Sequence, residues 1–117
     1  MIITLPFPNK ELNPNRTSGN HWAATKSLRA KAKEGAYYAT KLVSNGFVST
    51  EADYHVTINY IVPDNRVRDL DNLLAATKPQ IDGIALALGM NDRLFNPITI
   101  KRVIVKNTFL MTVDIGP

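Results

Sequence analysis

The chain has 117 residues, 14 Lys and Arg against 10 Asp and Glu, a formal net charge of +4 and a pI near 9.5. At 44% hydrophobic content it is long enough to bury a core as one domain over residues 1–117, which excludes a disordered tail. The absence of cysteine excludes a disulfide framework, a thiolate zinc site and a cysteine nucleophile, while the lack of a long apolar run or a signal-like N-terminus leads us to expect a cytoplasmic protein with no membrane partner.

Ile2–Leu5 reads as a short first strand ended by Pro6 and Pro8. Residues 8–21 are rich in Pro, Asn, Gly and Ser and form a loop whose polar, basic character suits phosphate contact. From about Trp22 to Ser44 the Ala, Lys, Leu and Tyr content predicts a helix, with Gly46 just past its end. Lys26, Arg29 and Lys33 fall at i, i+3 and i+7 of that helix and share one face.

Residues 53–62 alternate with period two: Tyr54, Val56, Ile58, Tyr60 and Val62 point to one side, and Asp53, His55, Thr57 and Asn59 to the other. Over residues 69–88, Leu70, Leu73, Leu74, Thr77, Ile81, Ile84, Ala85 and Leu88 recur at helical spacing. Gly89 stops that helix, and Pro79 inside it is expected to introduce a kink. Ile98–Lys106 and Thr108–Ile115 read as two further strands, the second with Phe109, Met111, Val113 and Ile115 on one side. With only Asn107 or its neighbours between them, they are expected to pair as a hairpin. The order β-α-β-α-β-β implies an α+β or α/β layer fold, a small mixed sheet with two helices packed on it.

Charge is unevenly placed along this order. Residues 1–50 hold seven bases and two acids, while residues 51–117 hold seven bases and eight acids, five of the latter between Asp64 and Asp92. A basic surface attracts polyanions, nucleic acid first among them. Carboxylates on such a surface repel phosphate unless a cation stands between them, a conflict that a metal-dependent phosphodiester enzyme resolves.

The acids concentrate where a strand passes into a helix, in Arg66-Val67-Arg68-Asp69-Leu70-Asp71-Asn72. Asp69 and Asp71, two apart, point the same way in an extended segment and stand at a helix N-terminus, where partial positive charge favours anions. An N-cap explains one Asp but not the pair. Hard oxygen ligands of this kind suit Mg²⁺ or Mn²⁺. At ~100° per residue, Asp71, Lys78 and Asp82 lie along one line of the helix, and the N-terminal lean of helical side chains brings the Lys78 ammonium toward the carboxylates. An ordinary Lys78–Asp82 pair at i, i+4 is the plainer outcome.

The stretch Arg68-Asp69-Leu70-Asp71-Asn72-Leu73, then Lys78-Pro79-x-Ile81-Asp82-Gly83, then Asn91-Asp92, resembles the RusA family of Holliday-junction resolvases. The likeness extends to length, element order, the opening Leu-Pro-x-Pro strand and His21-Trp22. It implies a homodimeric, Mg²⁺-dependent endodeoxyribonuclease that nicks branched DNA, a four-way junction, symmetrically in recombination and repair. It further implies metal-binding, catalytic roles for Asp69, Asp71 and Asp92, and catalytic or DNA-contacting roles for Lys78 and Arg68. Two departures stand out. Some family members place the Lys four residues after the second Asp, where this chain has Ala75, and many have Asp-Asp where it has Asn91-Asp92.

The residues expected to grip DNA are Arg66, Arg68, Lys26, Arg29, Lys33, Arg16 and His21. A straight helix over 70–88 is ~27 Å long, so Asp71 and Asp92 share a metal only through a sharp bend near Pro79 or across a two-fold dimer. Rival readings are a non-catalytic basic DNA-binding module with structural carboxylates, and an Asp-x-Asp phosphatase or sugar-nucleotide transferase. The second needs a larger fold, and Val67-Arg68 is not the apolar strand such a phosphatase motif ends. His21 and His55 have no nucleophile motif nearby, which disfavours Ser/His/Asp hydrolysis.

Overall fold

The fold is described from a computed structural model, for residues 1–13 and 23–116. Five strand positions anchor it. Tyr54, Val56, Ile58, Tyr60 and Val62 of strand β2 (Tyr54–Val62) are all buried, as their alternation predicts. Strand β1 (Ile2–Pro6) contributes Ile3 and Leu5 to the same face, and strand β4 (Leu110–Gly116) contributes Met111, Val113 and Ile115. Against this face pack helix α1 (Lys26–Val43) and helix α2 (Leu70–Leu88), through Ala36, Ile81, Ile84, Ala85 and Leu88. The result is a two-layer α+β fold, a four-stranded mixed sheet with both helices on one face. Short 3₁₀ turns at Lys10–Leu12 and Asp92–Leu94 precede α1 and β3 (Phe95–Ile104) respectively.

The strand order is β1-β4-β2-β3. β2 and β3 run parallel, joined by α2 as their crossover, while β4 pairs antiparallel with both β1 and β2. The expected hairpin between the last two strands therefore does not form. β4 lies beyond β2, so residues 105–109 must step over the end of β2, a distance of ~10 Å that five residues span easily. Val105 N–H donates to the Val62 carbonyl at 2.9 Å, and Asn107, at φ 61°, completes the turn. In the central position β4 gains two ladders, whereas β3 is left at the edge with most of its residues exposed. Phe109 precedes β4 and is 53% exposed, so it does not continue the buried row of Met111, Val113 and Ile115.

Helix boundaries follow local chemistry. α2 runs unbroken from Leu70 to Leu88 with Pro79 inside it. Proline removes the N–H that would bond Ala75, but Ala75 is exposed, so water can satisfy that carbonyl. At the other end Gly89 adopts φ 67°. Gly89 N–H donates to Leu86 O and Met90 N–H to Ala85 O, both at 3.1 Å, the left-handed stop that the sequence predicts.

Two features lock α2 in place. The buried Tyr60 and Thr77 hydroxyls meet at 2.8 Å, and Thr77 Oγ1 donates back to Leu73 O at 2.6 Å, so Tyr60 is the donor to Thr77. Gly83 faces α1 so closely that a Cβ there would collide with the Lys33 carbonyl and press on the Ala36 Cβ at 3.1 Å. Gly83→Ala is therefore expected to destabilise the protein by about 1–3 kcal/mol, read as a lower denaturant midpoint.

Burial pushes the Tyr60 phenol up to about 12 from its ordinary 10.0. The folded state then holds a proton that the unfolded chain releases, so stability falls as pH rises from about 10 to 12, by on the order of 2 kcal/mol. In Tyr60→Phe that part of the alkaline decline is expected to be absent from pH-dependent denaturation curves.

Candidate functional site

The segment leading into α2 is held by Asp64. Its Oδ1 accepts from Arg66 N–H at 3.0 Å and from Arg68 Nη1 at 2.9 Å. The Arg66 N–H and the Arg68 guanidinium together hold the Asp64 carboxyl below the usual carboxylate range. Arg68 also donates to the Asp64 carbonyl, lies 5.5 Å from the centre of the Phe109 ring and is only 14% exposed. Arg102 Nη1 reaches the Arg68 carbonyl at 3.3 Å. Arg68 thus braces the loop from within, and its guanidinium is already committed to Asp64. Arg66 remains exposed beside Arg102, over a shallow cavity of about 200 Å³ on the Val62–Ile104 side.

This bracing sets Asp69 at the N-cap position of α2. Its backbone is extended (φ −74°, ψ 124°) and its carbonyl accepts Leu73 N–H at 3.0 Å, yet its carboxylate makes no capping bond. Asp71, in the first turn, is exposed and forms no ion pair or hydrogen bond among the described residues. The usual reason for an Asp at this position, satisfying an N2 or N3 amide, does not apply to Asp69. Two accessible carboxylates therefore stand two residues apart at the positive end of a 19-residue helix.

Lys78 takes a different direction from the one its helical lean predicts. Its ammonium bonds Asp82 Oδ1 at 2.9 Å and also Asp92 Oδ2, rather than turning toward Asp71. Asp71 lies about two turns away, ~10 Å along the axis, whereas Asp82 is one turn on, and the 3₁₀ turn after Gly89 folds Asp92 back to mid-helix. Asn91 caps that turn by accepting Arg93 N–H at 2.9 Å, a structural role. The two carboxylates raise the Lys78 pKa above its ordinary value, Asp82 contributing most. Asp92 thus approaches Lys78 within one chain. Among the described residues no three His, Asp or Glu side chains gather into a group that could hold a metal ion.

The basic face of α1 turns toward this region. Lys26, Arg29 and Lys33 line a groove of about 420 Å³ whose other wall is Ala75, Lys78, Pro79 and Asp82 of α2. Four cations and one carboxylate thus border a single cleft. Arg16 and His21 lie outside the described residues. His55 sits on the polar face of β2, as expected, with Nε2 2.8 Å from Thr99 Oγ1. A second cavity, beside Asp69, is lined by Phe7, Lys10, Asn72 and Phe109 among others. Sequence reasoning missed it because it placed Phe109 only on one side of the last strand, in a row with Met111, Val113 and Ile115. Its one signal was that Asn107-Thr108 leaves the start of the last strand open to adjustment.

No helix among the described residues is long and apolar enough to cross a membrane. No family model matches the chain. An uncharacterized protein of Xylella fastidiosa (strain Temecula1 / ATCC 700964) is 37% identical over 99 residues, covering 80% of this chain. The chain spans 61% of that relative's length.

The Lys78 cluster yields a stability prediction. Lys78 is 58% exposed, so Asp82→Asn or Lys78→Met should each cost less than about 1 kcal/mol in denaturant unfolding. Because the folded pKa of Lys78 is raised, its stabilisation is present at neutral pH and lost as pH climbs through the alkaline range. Lys78→Met should lack that loss.

Proposed function

We propose that this chain is a Mg²⁺-dependent endodeoxyribonuclease that acts as a homodimer on four-way DNA junctions, nicking them in symmetric pairs inside the cell. The observation that carries the reading is the pair of accessible carboxylates, Asp69 uncapped and Asp71 unpaired among the described residues, at the start of the helix whose later turns wall a groove edged by Lys26, Arg29, Lys33 and Lys78. The motif spacing that resembles the RusA family supports the same reading.

The donor set fits a hard divalent cation. Asp69 and Asp71 present carboxylate oxygens without partners among the described residues, and Mn²⁺ would be accepted by the same ligands. Bound there, the metal supplies Lewis-acid activation of water and neutralisation of charge at a phosphodiester. The chain's own residues do the rest. Lys26, Arg29 and Lys33 hold the strand's backbone through its phosphates, so affinity should fall steeply with salt. Lys78, kept protonated by Asp82 and Asp92, sets a positive charge at the groove wall, where it favours the charge that develops on the phosphate.

Asp92 completes the site from the partner chain in a two-fold dimer, because within one chain it is drawn to Lys78 at mid-helix. Symmetric nicks require two such sites in any case.

The test is a labelled four-way junction and a matched duplex, each incubated with Mg²⁺ or EDTA. Paired nicks are expected in the junction alone, with Mg²⁺ alone, and Asp71→Asn should reduce the rate by at least about a hundredfold. Salt-sensitive binding without nicking would instead establish the non-catalytic DNA-binding module. Mixing Asp71→Asn and Asp92→Asn chains should restore one working site per dimer; no recovery of nicking would overturn the sharing of sites between chains.

A further inference from the structure

The cavity beside Asp69 is separate from the cationic groove. It holds about 450 Å³ and lies on another flank of α2, with the Lys10–Leu12 turn between the two: Leu12 lines the groove, Lys10 lines the cavity. Phe7 anchors its wall, packed edge-on against buried Tyr60 with ring centres 5.9 Å apart, and Phe109 lies on Phe7 with centres 4.3 Å apart. Phe109 nonetheless remains 53% exposed, and the Arg68 guanidinium, which also lines the cavity, lies 5.5 Å from its ring centre. Asn72 adds a half-buried side-chain amide that bonds no described residue, with donor and acceptor both available.

These groups suit a flat aromatic ligand with hydrogen-bonding edges. The volume is of the size that takes small organic groups, and an aromatic face with one amide is how single bases are held outside a duplex. Without a metal ion, a free nucleotide fits less well, because uncapped Asp69 at the rim repels a phosphate placed beside it. A base carried on a strand avoids that conflict, since its phosphates lie in the adjoining cationic groove. A base still paired in a duplex cannot present its face to Phe109.

We infer that this cavity receives one unpaired nucleobase of the DNA strand passing Asp69 and Asp71, stacked on Phe109 with its edge against the Asn72 amide. The inference rests on the nucleic-acid reading above and adds to it a binding site for a single base and the two residues that contact it. Stacking there would also tell branch-point DNA, where bases are readily unstacked, from continuous duplex.

The test needs no cleavage. Binding is measured by fluorescence anisotropy without Mg²⁺, using a four-way junction with intact branch-point nucleotides and one carrying abasic residues at those positions. The wild-type chain should bind the intact junction about tenfold more tightly than the abasic one. Phe109→Leu, which keeps an apolar contact with Phe7 but has no aromatic face, should bind both alike, at the abasic level. Phe109→Tyr should restore the difference. Equal preference in wild type and Phe109→Leu would overturn the base site while leaving the nuclease reading intact. No binding to either junction by the wild-type chain would overturn both. Should Phe109→Leu fail to fold, equal wild-type affinity for the two junctions would still refute the inference.

Discussion

The contact between Gly83 and the Lys33 carbonyl is the constraint on which the arrangement of this protein turns. Only a residue without a side chain lets α1 and α2 meet at that point. Close approach there carries Lys26, Arg29 and Lys33, on the turns before it, alongside Lys78 and Asp82. If the helices were held a side chain's width apart, the same charges would become a solvated face on α1 and a separate ion pair on α2. The cleft therefore exists because of backbone proximity. Its charge comes from residue spacing that helical periodicity had already aligned.

Much of this was legible in the residues themselves. The alternation of Tyr54 to Val62 marks a strand with one buried face, and Gly89 marks the stop of α2, because both signals act within a few residues. Strand partnership does not act locally. Nearness in sequence favoured pairing the last two strands, yet Lys101 and Arg102 mark β3 as suited to an edge, while the shorter alternation of Met111, Val113 and Ile115 suits a centre. Read for exposure rather than for turn length, the two segments point to the observed order.

Side-chain direction at the candidate site was legible only in part. The pairing of Lys78 with Asp82 follows from i, i+4 spacing, but the return of Asp92 to mid-helix depends on the path of residues 89–94. Whether Asp69 caps the helix cannot be read from its identity, since Asp is favoured there in either case. The loop answers it. Asp64 and Arg68 fix the approach to α2 by their own ion pair, and Asp69 enters the first turn with its carboxylate uncommitted. A loop stiffened by one charge pair thus leaves another charge free.

The strand order also bears on how the chain assembles as it is made. β4 lies between β1 and β2, so its residues 110–116 join segments synthesised long before them. Until those residues leave the ribosome, β1 has no partner strand, and β2 can pair only with β3. The nascent chain can form α1, α2 and the parallel pair, but its sheet stays open along the edge that β4 will fill. Completing a fold through such a distant pairing is slow relative to local structure, and it leaves the apolar faces of β1 and β2 exposed in the interval. A growing chain of this design would be most prone to engage a chaperone, or another nascent copy, just before its last strand emerges.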